Sequence, residues 1–298
     1  MTISSIYDLC TPRDDVQDGT IADSDYAANL VNVLTGRASR DYTDAPTFFT
    51  NTYPTEGLKE LLVNVCGRLS GRGESVSAVF RLDTSFGGGK THGLIALVHA
   101  AAGMKGVSNV AEFLDPALVP KGSVRIAAFD GENADPANGR PMGEGIRAHT
   151  PWGEIAYQLA GRSGYEIVRR SDEQQIAPGA DTIREMFGSD PVLVVLDELG
   201  EYLRRVQGMG GRDQLTAFLK ALLTATEGTQ QAAMVYTLAV RPDGKGIDAF
   251  SDENEFLARA MSELESVSGR KASILNPTKD DETAKGTSDQ PALCWIFR

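Results

Sequence analysis

Six residues, Phe86-Gly87-Gly88-Gly89-Lys90-Thr91, constrain this chain more than any other stretch. An apolar run, Ser75 to Leu82 (SVSAVFRL), precedes them. An apolar helical pattern, Thr91 to Ala102 (THGLIALVHAAA), follows. Strand, glycine-rich turn, Lys-Thr and helix is the context a phosphate-binding loop needs. Glycines let the backbone turn tightly with its N–H groups inward, because no Cβ blocks the conformation. The helix N-terminus adds free N–H donors and the positive end of a dipole. In such a loop Phe86 to His92 wrap the phosphates, Lys90 reaches the β- and γ-phosphates, and the Thr91 hydroxyl ligates Mg²⁺. The full pattern, G-x-x-x-x-G-K-[ST], would put glycine at position 84, where this chain has Thr84. A β-branched residue there must avoid positive φ.

A second motif lies downstream. Pro191 to Glu198 reads PVLVVLDE. Five apolar residues in a row, Val192 to Leu196, suit a strand buried on both faces, as in a parallel sheet. Asp197 and Glu198 then fall at its C-terminal end, the edge where open α/β sheets bind ligands. An aspartate there can hold Mg²⁺, and the adjacent glutamate can orient or deprotonate an attacking water. Between Lys90 and Asp197 there is room for an intervening strand and helices. Each motif alone also fits an ordinary turn or strand end; together, in this order, they predict a nucleotide-binding domain that takes ATP and Mg²⁺.

The expected fold is α/β: a P-loop NTPase with a mostly parallel sheet and helices on both faces. Its strands are read at 76–82, 124–129, 192–196, 232–240 and 271–275, numbered 1 to 5, in the order 5-1-4-3-2. Helices are expected at Ser24 to Leu34, from Thr55 as N-cap to Gly71, at Trp152 to Leu159, at Ala180 to Phe187, at Arg212 to Thr226, and from about Asp252. Residues 131–150, rich in Gly, Pro and Asn, read as a functional loop or lid. Thr237, a polar residue in the fourth strand, is either a γ-phosphate sensor or a threonine chosen for strand propensity. Arg241 is a candidate phosphate or subunit contact, and Tyr53 either touches the base or packs. The domain reading is 1–54 as an N-terminal extension, 55–275 as the ATPase core, and 276–298 as a truncated or aberrant tail where a helical lid would begin.

The net charge of −12 gives no generally basic surface for nucleic acid. The basic pairs Arg169-Arg170 and Arg204-Arg205 are local exceptions. No run approaches the ~18 apolar residues of a membrane helix, and the N-terminus lacks the layout of a secretory signal. Cys10, Cys66 and Cys294 are odd in number and widely spaced, which suits a reducing cytoplasm. His92, His99 and His149 form no ligand cluster with them, so no zinc site is expected.

Four segments, FFTNTYPTEGLKELL, TSFGGGKTHGLIAL, TPWGEIAYQLAG and VLVVLDELGEYL, together resemble the large AAA-like P-loop ATPases of prokaryotic antiviral defence loci. Most members of that group are known only as a domain of unknown function. The resemblance runs from about Ile6 to Glu282. It implies phosphate and Mg²⁺ contacts at Lys90 and Thr91, an Mg²⁺ residue at Asp197 and a water-activating carboxylate at Glu198. The first glycine is missing in that group too. The resemblance also implies partners such as a DNA methyltransferase or helicase, and a possible homo-oligomer. After NPTKDDE the chain departs from the group's helical lid, running into GTSDQPALCWIFR. Weak ATP binding and poor hydrolysis, unless another subunit completes the site, are the expectation.

Overall fold

A computed structural model describes residue 18 and residues 29–72, 77–84, 89–239, 252–268 and 272–277. Within these lie a five-stranded sheet, a two-stranded hairpin and flanking helices. The strands are β1 (Val79–Thr84), β2 (Arg125–Asp130), β3 (Arg140–Gly143), β4 (Ile146–Ala148), β5 (Val192–Asp197), β6 (Ala232–Ala239) and β7 (Ser273–Leu275). The main helices are α1 (Glu56–Leu69), α2 (Lys90–Ala101), α3 (Pro151–Glu173), α4 (Ala180–Phe187), α5 (Leu199–Val206), α6 (Gly211–Glu227) and α7 (Asp252–Ser268).

The large sheet runs β2-β5-β6-β1-β7, and every neighbouring pair in it is parallel. The hairpin, β3 and β4, was missed in the sequence, so the later strands carry numbers two higher than in the 5-1-4-3-2 scheme. In residue terms, 192–197 sits between 125–130 and 232–239, and 79–84 sits between 232–239 and 273–275.

The period of two in a strand decides what covers each face. Val192, Val194 and Leu196 of β5 enter one core with α3, α4, α5, α6 and α7. Leu193 and Val195 enter the other, with α1 and α2. All six residues of β5 are buried, as a central parallel strand requires. Residues before Thr55 share the second core: Leu30, Val33, Phe48 and Phe49 pack there with Leu61, Leu94 and Leu97. Burial of each such side chain contributes about 1.5–3 kcal/mol.

Helix α1 begins where its cap predicts: the Thr55 hydroxyl accepts from Leu58 N–H at 3.1 Å. The same hydroxyl donates to the Pro277 carbonyl at 2.5 Å, tying the end of β7 to the start of α1. The first helix among the described residues is Leu30–Leu34, capped by Asn29; residues 24–28 of the expected helix lie outside the described set.

Two expectations are corrected. Residues 131–150 do not form one long open loop. Residues 140–148 make the antiparallel hairpin β3–β4, which turns through Gly143, Glu144 and Gly145, all at positive φ. Its Ile146 and Ala148 pack on Tyr165 of α3. The helix after Thr150 also continues well past Leu159. Ala160 (φ −146°) and Gly161 (φ 60°, ψ −145°) kink it, and the chain then resumes helical geometry to Glu173. A glycine at 161 permits that kink without a Cβ clash.

The free edge of strand β2 is capped at Ala128 by a side chain. The Gln158 amide of α3 donates to Ala128 O at 2.8 Å and accepts from Ala128 N–H at 2.9 Å. One amide thus stands in for a missing neighbouring strand.

Candidate functional site

The C-terminal ends of β1, β2, β5 and β6 share one edge of the sheet, and α2 starts there. Thr84, at the position where the loop pattern expects glycine, ends β1 in extended register with Ala239 and needs no positive φ. Gly89 caps α2 in the left-handed region (φ 68°, ψ 18°), which glycine adopts freely. The first rung of the helix is Gly93 N–H to Gly89 O at 2.9 Å. The N–H groups of Lys90, Thr91 and His92 precede that rung and point out of the helix end. Phe86, Gly87 and Gly88 lie outside the described residues, as does Arg241.

The first turn of α2 meets the end of β5. Lys90 is only 8% exposed, and its Nζ lies 3.8 Å from Glu198 Oε1. That is charge attraction without a hydrogen bond. The Thr91 hydroxyl donates to Asp197 Oδ2 at 3.5 Å, a long contact. The Thr237 hydroxyl, from β6, donates to Asp197 Oδ1 at 2.5 Å. Glu198 N–H reaches the same oxygen at 3.1 Å and Thr237 Oγ1 at 3.4 Å. Lys90, Thr91, Asp197, Glu198 and Thr237, widely separated in sequence, therefore converge on one point.

Electrostatics at that point are those of crowded acids, Asp197 buried and Glu198 part-buried. Burial pushes the Asp197 carboxyl up from its ordinary value, the Thr237 hydrogen bond opposes this, and the Asp130 carboxylate adds to it. Glu198 is also raised, first by burial and then by Asp197, with Lys90 pulling the other way. Glu198 is held at φ 50°, ψ 40°, a left-handed backbone that costs a side-chain-bearing residue roughly 1–2 kcal/mol. It begins α5 and turns the chain sharply off the strand.

His92 has other engagements. Its ring stacks on Phe48 at 4.4 Å between centroids, and Nε2 sits 2.9 Å from the Thr52 hydroxyl. Burial lowers its pKa to about 3, so the ring is neutral. Its imidazole is thus committed to packing the segment before α1 onto α2. Tyr53, next to Thr52, is 45% exposed.

Asp130 was not singled out from the sequence. It is 5% exposed at the end of β2, in register with Asp197. Its carboxylate accepts from Asn133 Nδ2 (2.8 Å), Glu132 N–H (3.0 Å) and, in a close contact, Asn29 Nδ2. A signal was present: VRIAAF-Asp at one strand end parallels VLVVL-Asp at the other. Three of the four arginines in the basic pairs are engaged. Arg204 pairs with Glu201 and Glu253, Arg205 binds backbone carbonyls, and Arg169 pairs with Glu166.

The family model of the DUF499 N-terminal domain matches residues 7–272, most of the chain. The chain belongs to that family. No curated protein matches it. The matched span of this DUF499 domain contains Lys90, Thr91, Asp130, Asp197, Glu198 and Thr237.

The residues present suit a hard divalent cation. Among the described residues no group of three or more His, Cys, Asp or Glu side chains could hold a metal by itself. A hydroxyl and a carboxylate, Thr91 and Asp197, do stand together. Such oxygen donors suit Mg²⁺, which keeps several waters and leans on phosphate oxygens for the rest of its shell. A buried acid with a raised pKa is also a group that a cation would stabilise. Described helices include none long and apolar enough to cross a membrane.

Proposed function

We propose that this DUF499 domain is a P-loop nucleotide-binding domain that binds Mg·ATP at the start of α2 and hydrolyses it. The observation that carries the reading is the Lys90–Glu198 approach at 3.8 Å beside the Thr91–Asp197 contact. A lysine and a hydroxyl at a helix N-terminus facing an acidic pair on a buried parallel strand is the division of labour phosphoryl transfer needs. The strand neighbours support the same reading, since β6, carrying Thr237, lies between the strand before the loop and the strand bearing the acids.

In this reading the N–H groups at the start of α2 and the Lys90 ammonium bind the β- and γ-phosphates. Thr91 and Asp197 hold Mg²⁺, which when bound neutralises charge on the phosphate oxygens. Glu198 orients the attacking water and takes its proton, a role suited by a carboxyl held above its ordinary pKa. Thr237 fixes Asp197 and presents a hydroxyl to the same space.

The likeness to AAA-like ATPases of antiviral defence loci extends the proposal to a cytoplasmic subunit that remodels a partner complex. Partner proteins such as a methyltransferase or helicase, or further copies of the chain, belong to that extension. A net charge of −12 argues against this portion gripping DNA alone.

The test is turnover and binding in two variants. Lys90→Ala is expected to weaken Mg·ATP binding at least about tenfold, the cost of a charge-assisted contact. Glu198→Gln is expected to bind normally and to turn over about 10²-fold more slowly, on the scale of lost general-base help. Unchanged binding and turnover in both variants would refute the assignment.

A further inference from the structure

We infer that the turn after β2, with Gly131 at its centre and Arg205 as its clamp, is the mould that aims the Glu198 carboxylate. The inference rests on the reading of Glu198 as the water-activating group. It makes Gly131 and Arg205 positioning residues, neither touching substrate.

Glu198 is a residue with a Cβ held in the left-handed region, and such a conformation persists only where the surroundings over-determine it. Its N–H is fixed by Asp197 Oδ1 at 3.1 Å and Thr237 Oγ1 at 3.4 Å. Its carbonyl accepts from Glu201 N–H at 3.1 Å and Tyr202 N–H at 3.4 Å. On the remaining side of that carbonyl lies Gly131. A Cβ at position 131 would stand 2.1 Å from Glu198 O, 2.8 Å from its carbonyl carbon and 3.1 Å from Tyr202 Cβ. No side chain fits there. Nor can Gly131 retreat cheaply, because its N–H donates to Asp197 O at 2.9 Å.

The turn carrying Gly131 is itself locked. Asp130 accepts from Glu132 N–H and the Asn133 amide. Arg205 donates to Glu132 O at 2.6 Å and to Ala134 O at 3.1 Å. Arg205 belongs to α5, the helix that Glu198 begins. The circuit closes: end of β5, Gly131, Glu132, Ala134, Arg205, α5, Glu198. Fixing φ and ψ of Glu198 fixes its Cα–Cβ direction, and that direction brings the carboxylate to Lys90.

Gly131 does not have a left-handed φ. Alanine can therefore adopt its backbone, and Gly131→Ala acts by pushing chiefly on the Glu198 carbonyl, with a lesser contact on Tyr202 Cβ. The experiment compares Gly131→Ala, Arg205→Ala and the control Gly67→Ala, whose added methyl meets nothing within 4 Å. Three quantities are read: Kd for Mg·ATP, Kd for ADP with aluminium fluoride (a mimic of the transition state with its attacking water), and kcat. Gly131→Ala should leave Mg·ATP binding within about twofold while lowering kcat and affinity for the mimic by roughly 10–10²-fold, as an ångström-scale misplacement does. Arg205→Ala should lower both by a smaller factor, and Gly67→Ala neither.

Native kcat and mimic affinity in Gly131→Ala would overturn the inference. So would a loss of Mg·ATP binding in proportion, which is the mark of general damage. If Gly131→Ala does not fold, Arg205→Ala decides alone, because its side chain is surface-exposed; a native kcat and mimic affinity there would overturn the inference. Failure of the underlying reading looks different: Glu198→Gln would then turn over as fast as the native chain.

Discussion

Glu154, at the first turn of α3, is a buried acid whose charge state changes near neutral pH. It is 2% exposed and pairs with Arg140 of the hairpin at 2.9 Å. Burial outweighs the guanidinium, with Asp130 and Asp172 adding to it, and the carboxyl is pushed from 4.5 up to about 7. A folded-state pKa above the unfolded one means that the fold holds this proton more tightly. The stability it contributes is fully present below pH 4.5 and is lost as pH rises through about 7. At 1.36 kcal/mol per unit the swing is about 3 kcal/mol. Urea unfolding of the native chain and Glu154→Gln at pH 4.5 and pH 8 should show their stability difference changing by that order, with the native chain relatively better off at the acid end. An equal difference at both pH values would exclude it. Among single residues, Lys90, Thr91, Asp197 and Glu198 were legible because each belongs to a contiguous motif whose chemistry demands its neighbours. Asp130 and Gly131 were not, because their importance arises from register across two strands far apart in the chain. His92, read as part of the phosphate loop, turns its ring to Phe48 and Thr52, which leaves its backbone N–H at the start of α2 as the group available to a ligand.

Elements were legible where their periodicity is unbroken. Helix α1 has its cap, its apolar stripe at Leu58, Leu61, Leu62, Val65 and Leu69, and a glycine at its end. Strand β5 is a pure apolar run. Helix α3 was cut short because the pattern breaks at Ala160-Gly161, where the backbone does leave helical geometry before resuming. The hairpin was read as loop because Arg140–Gly143 and Ile146–Ala148 are too short, and the first too rich in Gly and Pro, to show alternation. Gln158 carries the sharpest prediction at this scale. Gln158→Leu keeps the side-chain bulk on α3 but leaves Ala128 N–H and C=O at the β2 edge without the amide. Each buried backbone group so stranded costs about 1–3 kcal/mol. Chemical denaturation should therefore show a loss of at least about 2 kcal/mol for the pair. A variant as stable as the native chain would mean that water replaces the amide fully.

At the scale of the molecule, one parallel sheet brings four strand ends and one helix start to a single edge, and the two cores hold them there from opposite faces. The α/β class and the parallel sheet could be read from alternating strands and helices. The joining of residues 30–49 to the second core could not, since that segment has weak periodicity and is recruited by α1 and α2. Catalysis of the proposed kind is mostly positioning, so a fold that spends four strands on fixing five side chains is suited to it. The most direct measurement is a crystal structure of the chain with Mg²⁺ and a non-hydrolysable ATP analogue. The γ-phosphate is predicted within hydrogen-bonding distance of Lys90 Nζ, with the metal beside Thr91 and Asp197 and the Glu198 carboxylate facing the γ-phosphorus. A nucleotide bound elsewhere on the molecule, or none at saturating concentration, would contradict it.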